Sequence, residues 1–309
     1  MLVGMDLRAA VIGSPLYGVD IGHHVFPTAK YDAVLTALVK AGDLSDKRGL
    51  EPPPVTRELL ELAHDPDYLD DFEALRWTPR TQYSELPLTY AIVESFETAG
   101  SGTAEAVRRA VRLGAAVHVG GGLHHAFAAK AEGFCYINDL AVAAEAALNE
   151  RLATRVAIVD LDLHQGNGTA HIFRGRPEVF TLSLHQENNY PEPKQQSTLD
   201  VGLEDGTDDE AYERALLPAL ERVWAFAPDL VLYQAGADPF HDDQLGGLAL
   251  TFAGLEARDC ALLEGCEERG IPVVTTLGGG YAHRFEDTVR IHTTTAQRTL
   301  DVVRRRRAR

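Results

Sequence analysis

The first chemical feature of this chain is a group of polar residues that directly follows a predicted buried strand. The β-branched run 155–159 predicts the strand, and Asp160, Asp162 and His164 come immediately after it. Successive side chains of an extended segment alternate between its two faces, so these three are expected on the same face. Carboxylates and imidazoles can hold a metal ion or relay protons, and open α/β sheets bind their ligands beyond the carboxyl ends of strands.

Three other predicted strands also end in residues that can do chemistry. One is followed by glycines and then by the adjacent His124 and His125. Another ends at Asp238, and the last breaks on three glycines before Tyr281. A single acidic residue after a strand means little, whereas four such strand ends indicate one shared site. These three strands fall within residues 115–119, 229–238 and 271–281.

The strand ends and their loops resemble the motifs of the zinc-dependent histone deacetylase superfamily, over about residues 15 to 290. Because Gln165 and Asn167 stand in the third motif, the chain is most similar to class IV histone deacetylases and to bacterial histone deacetylase-like amidohydrolases. The motifs are Gly121-Gly-Leu-His124-His125-Ala126, Gly133-Phe-Cys-Tyr-Ile-Asn138-Asp139, Asp160-Leu-Asp-Leu-His-Gln-Gly-Asn-Gly168, Ala235-Gly-Ala-Asp238 and Gly278-Gly-Gly-Tyr281.

The order of elements favours an α/β fold in a single domain. Strand-like and helix-like segments alternate without a linker-like segment, and 45% of the residues are hydrophobic. Helices are predicted over residues 139–151, 208–226 and 251–269. The resemblance implies the arginase/deacetylase fold, with about eight mostly parallel strands flanked by helices. We therefore expect one deacetylase-like catalytic domain over residues 1–309, with a short, disordered basic tail at 304–309.

Asp162, His164 and Asp238 are the predicted metal ligands. Two carboxylates and one imidazole make a three-ligand catalytic Zn²⁺ site with open positions for water and substrate. This oxygen-rich ligand set also suits Fe²⁺ or Co²⁺. The alternative is a buried ion network without metal, which is disfavoured because two carboxylates with only one imidazole between them repel each other.

His125 is the candidate general base, since a neutral imidazole can take a proton from metal-activated water and pass it to the leaving amine. The resemblance implies that Asp160 orients His124 as an electrostatic partner. Asn167 stands where many relatives have an aspartate, so we expect a lower pKa for His125 and activity that extends to lower pH. Tyr281 would donate a hydrogen bond to the developing oxyanion. Taken alone, the two histidines could be core residues and Tyr281 a turn residue.

The resemblance also implies a structural potassium ion. Ser183-Leu184-His185 closes another predicted strand, Glu178–Leu184, which makes the geometry of such a site credible. The residues that correspond to the family's monovalent cation site are Asp160, Asp162, His164, Ser183 and Leu184.

A narrow tunnel for the substrate is expected from the same resemblance. Gly133, Phe134 and Tyr190 would line it, with the alkyl stem of a lysine side chain between the two aromatic rings. Phe134 could alternatively be an ordinary core residue. Leu245 occupies a rim position where relatives that hydrolyse acetylated polyamines can carry a glutamate. An apolar residue there favours a lysine-type substrate over a polyamine.

The charge balance bears on the choice of partners. The chain has 46 acidic and 29 basic residues, and its net charge of −17 disfavours nucleic acid and either aids solubility or attracts cationic partners. Nucleic-acid contact by the basic run 304–309 is a minor alternative. No apolar run approaches the ~20 residues of a membrane span. The odd set of Cys135, Cys260 and Cys266 fits reduced thiols in the cytoplasm.

We therefore expect a metal-dependent hydrolase that removes acetyl or longer acyl groups from lysine side chains of a protein or peptide. The enzymatic alternative is an acetylpolyamine or other small-molecule amidohydrolase on the same scaffold. A non-catalytic acyl-lysine sensor is a third hypothesis, and it is disfavoured because every predicted metal ligand and Tyr281 are present. The sequence leaves open the preferred acyl length, the oligomeric state and the role of the His23-His24 loop.

Overall fold

A computed structural model of the protein describes residues 7–47 and 49–308. Within these residues the chain forms one sheet of seven strands, all of them parallel to their neighbours. The single α/β domain with a mostly parallel sheet is confirmed, with seven strands where about eight were expected. The strands are β1 (Val11–Ile12), β2 (Ala115–His118), β3 (Val156–Asp160), β4 (Val179–Gln186), β5 (Leu199–Leu203), β6 (Leu230–Gln234) and β7 (Val273–Thr276).

The order of the strands across the sheet is β1-β2-β7-β6-β3-β4-β5. Strands β2, β3, β6 and β7 are buried along their whole length, as expected for parallel strands covered by helices on both faces. The helices are α1 (Lys30–Ala41), α2 (Arg57–Leu60), α3 (Pro66–Glu73), α4 (Tyr90–Leu113), α5 (Asp139–Asn149), α6 (Asn167–Ile172), α7 (Asp209–Phe226), α8 (Phe252–Glu268) and α9 (Phe285–Ala308).

The three helices that were predicted from the sequence begin at capping side chains. Asn138 accepts the backbone N–H of Ala141 at the start of α5, which relieves one of the unpaired donors of the first turn. Asp208 caps α7 and Thr251 caps α8 in the same way. Helix α4 packs against α5, β2 and β7, whereas α9 packs against α1, α8 and β2. These contacts cover β2 and β7, two of the four strands whose following loops carry the site residues.

The prediction of a disordered tail at 304–309 was wrong for the described part of that run. Residues 304–308 form the last turns of α9, and Arg309 lies outside the described residues. Arg304 forms ion pairs with Asp43, just beyond α1, and with Asp301 one turn earlier. Arg305 pairs with Glu267 at the end of α8. Acidic residues from other elements, which the local sequence does not reveal, keep the basic run helical.

The structure also bears on the expectations about membrane spans and cysteines. In the described residues, no helix is both long enough and apolar enough to cross a membrane. The three cysteines form no disulfide, and Cys135 and Cys266 are buried.

Candidate active site

The predicted site residues meet because their four strands are neighbours in the sheet. The sequence order of these strands is β2, β3, β6 and β7, and their order in space is β2-β7-β6-β3. Since all are parallel, their carboxyl ends lie at one edge, and the loops beyond them face each other. His124 and His125 follow β2, Asp238 follows β6, and Tyr281 follows β7.

Asp162, His164 and Asp238 form a buried cluster that fits a metal ion. One ligand atom from each residue lies within 4.8 Å of the others. Nδ1 of His164 is 3.3 Å from Oδ1 of Asp162 and 3.1 Å from Oδ2 of Asp238. Burial, and then the charge of Asp162, raise the pKa of Asp238. Two carboxylates buried this close need a cation, and two oxygens with one imidazole nitrogen are ligands that Zn²⁺, Fe²⁺ and Co²⁺ accept.

The convergence of these ligands does not come from strand alternation, because β3 ends at Asp160 and the chain then bends. Side chains hold the bend instead. Oδ1 of Asp160 accepts the backbone N–H of Asp162 at 3.1 Å, and Oδ1 of Asp162 accepts that of His164 at 3.0 Å. Oδ1 of Asp238 accepts the N–H of Leu163 at 3.0 Å, which ties the loop after β6 to the loop after β3.

His124 is held by Asp160 as the resemblance implied. Its Nδ1 lies 2.7 Å from Oδ2 of Asp160, and its Nε2 lies 3.8 Å from Oδ1 of Asp162. Burial lowers the pKa of His124, but the charges of Asp160 and Asp162 outweigh it and raise the pKa to about 9. This imidazole therefore favours its charged form beside the two carboxylates.

His125 has the opposite electrostatic environment. Its Nδ1 lies 2.7 Å from Oδ1 of Asn167, the first residue of α6. Burial, and then the neighbouring imidazoles of His124 and His164, lower the pKa of His125 well below its usual value. Burial is the main cause, and the hydrogen bond to Asn167 raises the pKa rather than lowering it. The expected difference from aspartate-bearing relatives stays a prediction. A neutral imidazole is the form that a general base requires.

Tyr281 is brought to the site by a glycine loop that is itself bonded to one of the predicted metal ligands. Oδ2 of Asp162 accepts the backbone N–H of Gly279 at 2.8 Å, and Gly280 has a φ of 143°, which only glycine adopts readily. Burial, and then the charge of Asp238, raise the pKa of Tyr281 well above its usual value. Its phenol stays protonated and can donate a hydrogen bond.

A pocket of about 250 Å³ leads to this cluster. It is lined by both histidines, by Asp162 and His164, by Tyr281 and by all four predicted substrate-binding residues. The remaining predicted catalytic and metal-binding residues, Asp160, Asn167 and Asp238, are hydrogen-bonded to residues that line it. A pocket lined by aromatic rings together with imidazoles and a phenol suits a substrate with an apolar part and a polar reacting group.

Local packing explains the positions of two residues predicted to line the tunnel, Gly133 and Phe134. A Cβ at Gly133 would lie 2.7 Å from Cδ2 of His125, so only glycine allows the base to pack here. Phe134 has a φ of 63°, and its ring contacts the ring of Tyr281 edge-on, with centroids 6.2 Å apart. The ring of His24 packs edge-on against Phe134 at 4.7 Å, which makes His24 a support of the tunnel wall.

The rim of the pocket differs from the expectation in one respect. Leu245 lines the pocket as predicted, and its carbonyl accepts a hydrogen bond from Asn189 at 2.9 Å. The sequence analysis identified only the apolar Leu245 at the rim, but Glu85, which is exposed, also lines the pocket. No local signal identifies Glu85, because its place at the rim depends on the loop before α4.

The sequence and the fold are similar to those of known proteins. The histone deacetylase domain model matches residues 24–296. The chain belongs to the histone deacetylase family. Its relatives include an uncharacterized protein of Picosynechococcus, which is 40% identical over 281 residues that cover 90% of this chain and 94% of that protein. Histone deacetylase 2 of Arabidopsis thaliana is 30% identical over 269 residues, which cover 84% of this chain and 70% of that protein.

A solved structure gives the same fold. The crystal structure of an acetylpolyamine aminohydrolase from Burkholderia pseudomallei superposes with a TM-score of 0.78 at 22% sequence identity. The match covers 94% of this chain and 98% of that one. As a member of the histone deacetylase family, the protein is a hydrolase, and its buried Asp–His–Asp cluster is a place where the metal of this family can bind.

The residues predicted for K⁺ come from two neighbouring strands and the loop after one of them. Asp160, the last residue of β3, is the register partner of Ser183. Ser183 and Leu184 lie inside β4, which continues to Gln186, two residues beyond the strand end predicted from the sequence. Oγ of Ser183 is 3.0 Å from Nδ1 of His185. Asp162 and His164 follow β3, and the ion stays a prediction.

Sequence analysis did not identify Lys30 as part of the site. In the structure its side chain is fully buried beside the site. Its Nζ donates to the carbonyl oxygen of Gly278 at 2.5 Å, at the start of the Tyr281 loop. Burial lowers the pKa of Lys30 to about 8, although Asp238 and Asp162 act in the other direction. A buried cation here partly offsets the charge of the two carboxylates and braces the glycine loop.

Proposed function

We propose that this protein is a metal-dependent hydrolase that removes acetyl or longer acyl groups from the ε-amino group of lysine. The observation that carries the proposal is a single pocket that is lined by Phe134 and Tyr190 as well as by His125, Tyr281 and two members of the Asp–His–Asp cluster. A lysine side chain has a four-carbon apolar stem and an amide at its end. The two aromatic rings suit the stem, and the polar groups suit the amide.

The protein groups divide the chemistry among themselves. A divalent ion held by Asp162, His164 and Asp238, with Zn²⁺ the first choice and Fe²⁺ or Co²⁺ as alternatives, would activate water and polarise the carbonyl. His125 takes the proton of the attacking water and returns it to the leaving amine. Tyr281 donates a hydrogen bond to the carbonyl oxygen as negative charge builds on it.

The neighbouring groups keep these roles distinct. His124, charged and bonded to Asp160, adds positive charge to the site, while His125 is kept neutral by burial and by the charge of His124. One imidazole is thus prepared to stabilise negative charge and the other to accept a proton. We further propose that K⁺ braces the end of β3 against β4 and that the enzyme acts in the cytoplasm.

Hydrolysis of a substrate panel by the zinc-loaded protein tests the proposal. The panel contains an acetyl-lysine peptide, a long-chain acyl-lysine peptide and an acetylated polyamine, and Tyr281→Phe is measured in parallel. We expect turnover of at least one lysine peptide and a loss of about 10²–10³ in kcat in the variant, with KM little changed. If only the polyamine is hydrolysed, the proposed lysine substrate is wrong and the polyamine takes its place. If the metal-loaded protein hydrolyses nothing, the result favours a non-catalytic sensor.

An acetylpolyamine amidohydrolase is the second candidate, and Glu85 is the observation that favours it. A carboxylate at the pocket mouth can bind the second ammonium group of a polyamine. It can equally bind a basic side chain or a backbone N–H group of a peptide. The similarity in fold to an acetylpolyamine aminohydrolase is compatible with either substrate. Leu245 still favours the lysine peptide, because it adds no second carboxylate on its side of the rim.

A further inference from the structure

Behind His125 the hydrogen bonding does not stop at Asn167. Nδ2 of Asn167 donates to Oε1 of Glu132 at 2.6 Å, so the imidazole, the amide and the carboxylate form one chain of contacts. Asn167 is fully buried, and the side chain of Glu132 is 18% exposed. The hydroxyl of Tyr190 donates to the same Oε1 at 3.2 Å, and Lys130 pairs with the other carboxylate oxygen.

We propose that Glu132 is a positioning residue that fixes the tautomer of His125 through Asn167. This inference rests on the proposed role of His125 as the base, and it goes beyond that role because it explains how a neutral amide can orient the base. Its grounds are the direction of each hydrogen bond and the chemistry of the three groups.

The first step is the orientation of the amide. An asparagine side chain can present either its oxygen or its NH₂ group to a neighbour, and the two orientations have almost the same shape. An ionised carboxylate has no hydrogen to donate, so it can only accept. Glu132 therefore accepts from the NH₂ group of Asn167, and the oxygen of Asn167 must point to His125.

The second step is the tautomer of the imidazole. Since the oxygen of Asn167 can only accept, Nδ1 of His125 must carry the hydrogen. In the neutral ring the lone pair is then on Nε2, the nitrogen that remains for the pocket. If the amide were reversed, its NH₂ group would face Nδ1 and favour the tautomer with hydrogen on Nε2. That tautomer cannot act as a base toward a substrate.

The third step concerns the tunnel. Tyr190 forms a wall of the pocket, and its ring contacts that of His125 edge-on with centroids 5.0 Å apart. Because the Tyr190 hydroxyl and the Asn167 amide share one oxygen of Glu132, a single carboxylate positions both the tunnel wall and the base. The backbone of Glu132 pairs with that of Cys135 in both directions, and a change of side chain leaves these bonds in place.

The test exchanges the two partners. Glu132→Gln removes the acceptor-only group, and Asn167→Asp places a second carboxylate within hydrogen-bond distance of Glu132. We expect kcat to fall about tenfold in the first variant and at least as much in the second, with KM for the acyl-lysine peptide within about twofold. In the double variant, the new carboxylate at position 167 accepts from His125, and the new amide at position 132 donates to that carboxylate. We expect kcat of the double variant to recover to within about threefold of the wild type.

Glu150 provides the control for this test. Glu150→Gln removes a carboxylate that is bonded to Arg108 outside the pocket, and we expect it to leave kcat unchanged. If Glu132 only stabilised the fold, the losses in kcat of the two single variants would add in the double variant. Recovery of kcat in the double variant would therefore not occur. Full activity of Glu132→Gln, or additive losses in the double variant, would overturn the proposal.

A second measurement does not depend on the substrate. In protein with ¹⁵N-labelled histidine, loaded with Zn²⁺, the ring nitrogens of His125 should report hydrogen on Nδ1 in the wild type and a mixture of tautomers in Glu132→Gln. Unchanged ¹⁵N shifts in the variant would refute the positioning role. If the tautomer changes as expected but no lysine peptide is hydrolysed, the proposed substrate fails while the role of Glu132 stands.

Discussion

The carboxylate of Asp243 accepts the backbone N–H of Tyr281 at 2.6 Å. Its other oxygen accepts the N–H of Leu245 at 2.9 Å, so one side chain positions both the phenol donor and a residue of the pocket rim. Burial, and then the charge of Asp238, raise the pKa of Asp243 to about 7. The loops after β6 and β7 are joined at this point, which couples the reacting end of the pocket to its mouth.

Asp243→Asn should reduce turnover without removing the metal. The amide can accept at one oxygen only, and its NH₂ group would face one of the two backbone donors. A buried donor left without an acceptor costs about 1–3 kcal/mol, so we expect kcat for an acyl-lysine peptide to fall about tenfold or more. Metal content is measured beside kcat and KM, with Asp242→Asn as the matched neighbour. Wild-type kcat in Asp243→Asn would show that Tyr281 needs no such support.

Loss of one predicted ligand should abolish the stabilisation that metal provides. Wild-type protein stripped of metal should gain several degrees in Tm when Zn²⁺ is added in excess of its Kd, because only the folded state presents the three ligands together. Asp238→Asn should show no such gain. Without metal this variant should be at least as stable as the wild type, since it removes one of two repelling carboxylates. An equal gain in both proteins would place the ion elsewhere.

Substrate choice at the rim can be shifted by one charge. Leu245→Glu should raise kcat/KM for an acetylated polyamine about fivefold, because a carboxylate at the rim attracts the free ammonium group. Leu245→Gln has the same shape without the charge and serves as the control. Glu85→Gln should lower kcat/KM for the polyamine by a similar factor. If Leu245→Glu and Leu245→Gln behave alike, the charge at this position does not select the substrate.

Glu97 in α4 should make the protein less stable as the pH rises. Burial, and then the nearby carboxylate of Glu73, raise the pKa of Glu97 from 4.5 to about 7. Between these two values the folded state binds more protons than the unfolded state, so stability falls as the pH rises through this window. Glu97→Gln removes the effect. Its Tm should exceed that of the wild type at pH 8 and match it near pH 5.

Thermal unfolding by fluorescence across this pH range measures the difference. Glu213→Gln, on an exposed position of α7, is the control and should follow the wild type closely. A wild-type Tm equal to that of Glu97→Gln at pH 8 would mean that Glu97 is ionised in the folded protein without cost.

The positions of the main site residues could be predicted because they follow buried strands. Hydrophobic runs such as 155–159 identify strands, and the carboxyl ends of parallel strands meet at one edge. Which strands are neighbours is not encoded in any single run, and the family motifs supplied that information. Alternation was less useful: Asp162 and His164 lie beyond the end of β3, and bonds from side chains to the backbone place them.

Residues that act through distant partners could not be predicted. Lys30 and Lys40 lie in the same helix, yet Lys30 is buried against Gly278, 248 positions away, while Lys40 is exposed. Glu132 and Asp243 likewise gain their roles only when loops from different strands meet. The basic run at the end of α9 looked solvated for the same reason, since its partner Asp43 is remote in sequence.

The central place of β7 has a consequence for synthesis of the chain. Residues 273–276 form the last of the seven described strands in chain order, yet they pair with β2 on one side and β6 on the other. Until these residues are made, a nascent chain carries two apolar strand edges without partners, which are sites for aggregation or chaperone binding. A chain that stops before Val273 has all three metal ligands, but it lacks Tyr281 and the strand that closes the sheet.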